Sequence, residues 1–319
     1  MGRIGRAVMR ASLERNIPIS AINDRNDLEQ ICYLLKYDSV YGRLNNIIVH
    51  DDGKLKIDNQ SIRLIRSMPF PNWQETGTKV VLECAGAGPD GNKAREHLRL
   101  GAQTVIISAP APNVDKVLVM GLNESQYQPE KDKIISMASC TTNCVAPIIK
   151  IMQGMGEIDF LRLVSVNAYT NSQRLVDAPH ADLRLSRAAA LNIIPSESST
   201  NGSLEILFPE LKGKYQARAY RVPVACGSIT DLSFTFKNPL PVTAGKILRD
   251  KAQALGGIIE FCTDCAVSTD VIGNPASAVI GGLKISENNR EANIMAFYDN
   301  EWGYANRLLD LALYIAGKS

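Results

Sequence analysis

Gly2-Arg3-Ile4-Gly5-Arg6-Ala7-Val8-Met9-Arg10-Ala11, followed by Ile17-Pro18-Ile19-Ser20-Ala21-Ile22-Asn23-Asp24, decides how the first half of the chain is read. Ile4, Ala7, Val8 and Ala11 recur at i, i+3, i+4 and i+7, the spacing of one buried helix face. Asn16 is a natural stop, and Ile17 to Ile22 reads as a strand with its proline near the start. Glycines at a helix start let backbone N–H groups approach a pyrophosphate, where the helix dipole favours negative charge. Asp24 stands where a dinucleotide fold places the carboxylate that accepts the adenosine ribose hydroxyls. Taken alone, G-x-x-G marks only a helix that tolerates glycine; helix, strand and acid arriving in order point to dinucleotide binding. The full fingerprint G-x-G-x-x-G follows a strand. Its first glycine and that strand are missing here, so the true start is expected upstream. Arg25 leaves the coenzyme open: Asp24 repels the 2′-phosphate of NADP, while an adjacent guanidinium can pair with it.

Further buried strands are expected at Lys79 to Cys84, Thr104 to Ser108, Val117 to Met120 and Ile134 to Met137. Strands alternating with helices imply an α/β fold with a Rossmann-type, doubly wound parallel sheet. After about residue 150 the pattern changes. Phe160 to Val166 and Ser228 to Lys237 are longer, partly alternating strands, which suit an α+β domain with a mixed or antiparallel sheet. Leu308, Leu311, Ala312 and Ile315 mark Trp302 to Ile315 as an amphipathic helix. The expected division is a dinucleotide-binding domain over 1–139, with the helix 303–319 packing on it, and a catalytic domain over 140–302.

The composition excludes several classes. The chain has 319 residues, 45% hydrophobic and 21% charged, with a net charge of +2. That balance gives no reason to expect nucleic acid or membrane partners, and no stretch approaches the ~20 apolar residues of a bilayer span. Met1 to Arg6 lacks the apolar run of a signal peptide. Seven cysteines without a regular framework suggest reduced thiols in a cytoplasmic enzyme. Cys262-x-x-Cys265 lacks a second Cys/His pair at ligand spacing, so no metal is expected.

Ser139-Cys140-Thr141-Thr142-Asn143-Cys144-Val145-Ala146-Pro147 carries the chemistry. A strand enters it and an apolar helix through Ile148, Ile149 and Met152 leaves it. A cysteine at a helix N-terminus is expected to have its thiol pKa lowered by the dipole and free N–H groups. The alternative is a small thiol packing in a core.

Ser139 to Cys144 resembles the active-site signature of phosphorying glyceraldehyde-3-phosphate dehydrogenases, that is, the type I phosphorylating family. The likeness extends through Leu34 to Gly42, Ile106 to Pro110, Arg187 to Pro195, Pro209 to Lys214, Arg221 to Val224 and Tyr298 to Tyr304. It implies that Cys140 attacks an aldehyde, that hydride passes to a nicotinamide, and that inorganic phosphate releases the thioester as an acyl phosphate. It also implies Thr170 and Arg221 on the substrate phosphate, with Ser139, Thr141, Ser198 and Ser199 serving phosphate. Gly2, Arg3, Ile4, Asp24, Arg25, Ser108, Asn300 and Tyr304 are implied on NAD, or on NADP if use is dual. A glycolytic, cytoplasmic homotetramer follows, with Thr170 to Asn192 lying near a neighbouring subunit's cofactor.

The chain departs from the family pattern in places. Asn167 occupies the position of the histidine base, and an amide donates a hydrogen bond but takes no proton. Losing a positioned base costs roughly 100- to 10,000-fold in rate, so slowed turnover is expected. Ser172 replaces a carboxylate beside the substrate phosphate, Ser198-Ser199 replaces Thr-Gly, and Ala178-Pro179 replaces Leu-Pro. Three readings stay open: a slowed glyceraldehyde 3-phosphate dehydrogenase, a dehydrogenase for a different phosphorylated aldehyde, and a dinucleotide-binding paralogue with little catalysis.

Overall fold

A computed structural model describes residues 1–51, 54–67, 70–86 and 88–318. Chain contacts divide it into two compact units, Met1–Leu118 with Asn123–Ala138 and Ala305–Ser319, and Val119–Leu122 with Ser139–Tyr304. The fold is mixed α/β, with an all-parallel sheet in the first unit and a mixed sheet in the second.

In the first unit, helix α1 (Arg3–Glu14) buries Ala7, Val8 and Ala11 as the periodicity requires. Arg10 is buried as well, because its guanidinium donates to the carbonyls of Leu35, Lys36 and Gly42. Asn16 ends the helix in the left-handed region, φ 54°, a conformation its short polar side chain tolerates. Strand β1 spans only Ala21–Asn23, not the expected Ile17 to Ile22. Pro18 has no N–H to pair, and the Ile17 N–H turns back to Ser12 at 2.8 Å. Helix α2 (Leu28–Lys36) follows, then the short ladder of β2 (Tyr37–Asp38) with β3 (Gly42–Arg43). A meander of β4 (Ile48–Asp51), β5 (Lys54–Ile57) and β6 (Gln60–Ile65) joins β1 through the parallel pair β1–β6.

The parallel sheet comprises β7 (Val80–Glu83), β8 (Thr104–Ile107), β9 (Lys116–Val117) and β10 (Ile134–Ser136), in the order β7–β8–β10–β9. Helix α3 (Gly91–Arg99) makes the crossover from β7 to β8. The strand expected at Val117 to Met120 stops early: Leu118 still donates to Ser136, but Leu122 then closes a turn on Val119. Buried Trp73 gives its indole N–H to His97 Nδ1 at 2.9 Å, so the other ring nitrogen carries the proton and meets Glu83 at 3.1 Å.

The second unit holds α4 (Cys140–Gln153), β11 (Ile158–Ala168), β12 (Ile194–Ser196), α5 (Ser203–Leu207), β13 (Tyr215–Val222) and β14 (Ser228–Phe236). After these come α6 (Ala244–Gln253), β15 (Ile259–Phe261), β16 (Ala278–Ile285) and β17 (Glu291–Tyr298), while α7 (Trp302–Ala316) starts in this unit and belongs to the first from Ala305 on. Seven strands form one sheet in the order β12–β13–β11–β14–β17–β16–β15. β11 runs parallel to β13 and antiparallel to β14, which is antiparallel to β17. Leu161, Leu163, Ser165 and Asn167 point inward from β11, while Arg162, Val164 and Val166 alternate on the other face. Residues 170–193 carry neither helix nor strand, and Leu175, Val176, Leu183, Leu191 and Ile193 are exposed there. Among the described residues no helix is long and apolar enough to cross a membrane.

Asp38 and Asp115 are among the carboxyls of the first unit that titrate abnormally. Burial pushes Asp38 up, but the N–H groups of Tyr41 and Val40 and the Arg3 guanidinium outweigh it and hold the carboxyl below the usual range. Asp115 behaves alike, with burial outweighed by Arg95 and the N–H groups of Ile134 and Lys133. A depressed folded value means stability is present above the unfolded value near 4 and is lost as pH falls through the folded one. Urea midpoints should therefore hold level from about pH 7 to 5 and drop below about pH 4. The double variant Asp38→Asn/Asp115→Asn should start less stable and show a flatter acid limb.

Candidate active site

The chain turns sharply ahead of α4. Fully buried Ala138 takes φ 54°, a left-handed conformation uncommon for a residue with a Cβ. Ser139 is the N-cap, its Oγ accepting the Thr142 N–H at 3.0 Å, while its carbonyl accepts the Asn143 amide at 2.9 Å. Cys140 is thus the first residue of the helix, as the sequence suggested.

Its acidity differs from the expectation. Burial pushes the Cys140 thiol above the ordinary value, outweighing the Arg221 guanidinium, the Thr141 hydroxyl and the backbone N–H groups at the helix start. The helix end favours thiolate but is the weaker effect, because the sulfur has lost most of its water. Cys144, one turn on, is fully buried, and its thiol is pushed up by the same cause.

Sheet strands bring the opposing side chains. Asn167 near the end of β11 pairs across the ladder with Arg221 of β13. Asn167 is buried, its Nδ2 donating to Ser165 Oγ at 3.2 Å and its Oδ1 accepting the Tyr298 hydroxyl at 2.8 Å. Tyr298, the last residue of β17, also lies 2.8 Å from Thr141 Oγ1. Burial drives its phenol well above the ordinary value, so it stays protonated. Arg221 spends one N–H on the Ala168 carbonyl at 3.1 Å. No side chain in this group can accept a proton near neutral pH; the arrangement orients and donates.

The other sequence-derived positions of the second unit have partners of their own. Thr170 Oγ1 and Ser172 Oγ bond at 2.8 Å, and Gln173 Oε1 holds the Thr170 N–H at 3.1 Å. Ser198 is buried with its hydroxyl on Thr200 at 2.8 Å, whereas Ser199 is exposed. Asn300 Oδ1 accepts the Gly227 N–H at 3.1 Å and faces Ser228 Oγ at 3.4 Å, which directs its NH2 group away from them. Asp299 beside it caps α7, accepting the N–H groups of Glu301 and Trp302, and also takes the Gly273 N–H. Tyr304 is buried.

In the first unit, Gly2 is the N-cap of α1 and offers no side-chain cap, and the first turn holds no acidic residue. Its first N–H groups and positive dipole end suit an anion. Arg3 pairs with Asp38 and Ile4 is half-buried. Asp24 accepts the Met1 amino group and the Asn26 N–H, and Arg25 is exposed beside it. Among the described residues the buried Asn23 Oδ1 has no partner. Ser108 follows β8, its N–H on the Glu83 carbonyl at 3.0 Å. An uncapped helix start, an adjacent carboxylate and an unpartnered buried acceptor fit a dinucleotide rich in phosphate and hydroxyl groups. Sequence reasoning assigned no role to Ser165 or Tyr298. Tyr298 lies inside the quoted Tyr298 to Tyr304 motif, and only the fold brings it against Asn167.

Comparison with known proteins gives the same answer over both halves. The profile described as glyceraldehyde 3-phosphate dehydrogenase, NAD binding domain, matches residues 1–90, and that for the C-terminal domain matches residues 139–300. A glyceraldehyde-3-phosphate dehydrogenase of Streptomyces arenae is 40% identical, over 98% of this chain and 96% of its own. One from Streptomyces coelicolor is 39% identical, over 99% and 97%. Another from Bacillus subtilis is 38% identical, over 99% and 95%. With a cysteine at a capped helix start in one unit and an NAD-type helix in the other, the chain belongs to the glyceraldehyde 3-phosphate dehydrogenase family of NAD-dependent oxidoreductases.

Proposed function

We propose that the protein oxidises glyceraldehyde 3-phosphate to 1,3-bisphosphoglycerate with NAD and inorganic phosphate, at a rate lowered by Asn167. The observation that carries this reading is Cys140 at the start of α4, with Arg221 beside it and Asn167 on the facing strand. NAD, when bound, supplies the hydride acceptor. Gly2, Arg3, Ile4, Asp24, Ser108, Asn300 and Tyr304 would hold it, and Arg25 with Ala178-Pro179 leaves room for NADP. Residues 1–139 would form the dinucleotide domain and 140–302 the catalytic one.

The chain's own groups do the rest. Cys140 loses its proton to solvent and attacks the aldehyde carbon, and later carries the acyl group as a thioester. Thr170 and Arg221 anchor the substrate phosphate, while Ser139, Thr141 and the Ser198–Ser199 loop serve the attacking phosphate. The second N–H of Asn167 can steady the developing oxyanion, but the amide cannot remove the hydroxyl proton as a histidine would. A second reading, a dinucleotide-binding paralogue with little catalysis, draws on the raised Cys140 thiol.

Reduction of NAD and of NADP with glyceraldehyde 3-phosphate, with and without phosphate, tests both. Slow, phosphate-dependent turnover that Asn167→His raises about 100-fold or more supports the slowed enzyme. Cofactor binding without turnover in either version supports the paralogue, and phosphate-independent oxidation of another aldehyde overturns both.

A homotetramer is part of the proposal. Exposed Leu175, Val176, Leu183, Leu191 and Ile193 are apolar surface that an isolated chain would leave in water. Light scattering should give about four times 34.8 kDa. The double variant Leu183→Asp/Leu191→Asp should reduce that mass; an unchanged tetramer would exclude this segment from the interface.

A further inference from the structure

The hydrogen bonds beside Cys140 give the hydroxyl protons a direction in this structure. Ser165 Oγ donates to the Arg218 carbonyl at 3.4 Å, which leaves its lone pairs to accept the Asn167 N–H at 3.2 Å. That orients the amide, so Oδ1 faces Tyr298 and accepts the phenolic proton at 2.8 Å. A phenol has a single proton. With it committed to Asn167, the Tyr298 oxygen must accept from Thr141 Oγ1, 2.8 Å away. The Thr141 hydroxyl also lies against the Cys140 sulfur, and it too has one proton to give.

We propose that Tyr298 and Asn167 are positioning residues that draw the Thr141 proton away from Cys140, and that reversing this hydrogen-bond chain turns the proton onto the sulfur when the thiol ionises. Reversal needs rotations only. Ser165 turns its hydroxyl from the Arg218 carbonyl to Asn167, the amide flips, and the Tyr298 and Thr141 hydroxyls swing over. No covalent bond along the chain forms or breaks, and the thiol proton itself leaves to solvent. The link surrendered is the longest in the chain, at 3.4 Å, so its loss costs little.

Asn167 is what makes the reversal a rotation. A histidine at this position would respond to the thiolate by holding a proton, whereas an amide has none to exchange and can only turn over. The titratable and charged groups that the structure brings to the sulfur are Arg221 from β13, Tyr298 from β17 and Cys144 from α4 itself. Arg221 favours the thiolate in either arrangement. The switch therefore lies in the direction of one hydroxyl. It rests on Cys140 being the reactive thiol and does not require dehydrogenase turnover.

Alkylation of Cys140 by iodoacetamide in the full chain, followed from pH 6 to 10 with the site quantified by mass spectrometry, tests it. Tyr298→Phe frees the Thr141 proton for the sulfur and should lower the midpoint by about one pH unit. At pH 7 the rate should rise about threefold, since a tenfold gain in thiolate is partly offset by its weaker nucleophilicity. Asn167→Leu/Thr230→Val should move the midpoint the same way, because Tyr298, with the Thr230 hydroxyl beside it also removed, then gives its proton to Thr141. Thr141→Val should raise the midpoint, and adding Tyr298→Phe to it should change nothing further. Unmoved or raised midpoints in Tyr298→Phe and Asn167→Leu/Thr230→Val would overturn the proposal. So would a downward shift that survives in the Thr141→Val background. If the proposed dehydrogenase activity is absent, that appears in the turnover assay and leaves these shifts intact.

Discussion

The register of the seven-stranded sheet is the constraint on which the site depends. Asn167, Arg221 and Tyr298 come from three strands, and the ladders that pair Asn167 with Arg221 and Ser228 with Tyr298 bring them to one end. Side chains alternate along a strand, so a slip of one residue in β11 would turn Asn167 to the outer face. The same slip would expose Leu161 and Leu163, both fully buried. Each such side chain contributes roughly 1.5–3 kcal/mol by burial, so apolar packing enforces the placement of polar groups.

Within that frame the nucleophile experiences opposed influences. The N-terminus of α4 and the Arg221 guanidinium favour a thiolate; burial disfavours it and prevails. A positioned histidine would add an ion-pair partner, and this chain has an amide there instead. Tyr298, held neutral by its own burial, ties that amide to the first turn of α4 through Thr141. Among the described residues, hydrogen bonds surround the cysteine, and the charge that helps it ionise is that of Arg221.

Much of this architecture was legible in the chain. The i, i+3, i+4 spacing located α1 and α7, and compact apolar runs located β7, β8 and β10, because helix and strand periods act locally. β1 and β9 came out shorter than read, since strand ends depend on which partner supplies a hydrogen bond. The Lys54-Leu55-Lys56-Ile57 alternation was present but unread, and it forms β5 with Leu55 and Ile57 fully buried. Cys140 at a helix start was evident from its flanking strand and helix. Its acidity was not, because desolvation is set by residues far apart in sequence. Tyr298 and Ser165 escaped for a similar reason: their roles follow from cross-strand neighbours.

The pairing of Trp73 with His97 has a practical side. The chain contains two tryptophans, and the contact division assigns one to each compact unit, Trp73 to the first and Trp302 to the second. Their surroundings are unlike: Trp73 is buried against an imidazole, and Trp302 is half-buried at the start of α7. Each unit thus carries its own fluorescent probe. Replacing either indole by phenylalanine leaves a single emitter, so that the surroundings of Trp73 and of Trp302 can be followed separately during unfolding.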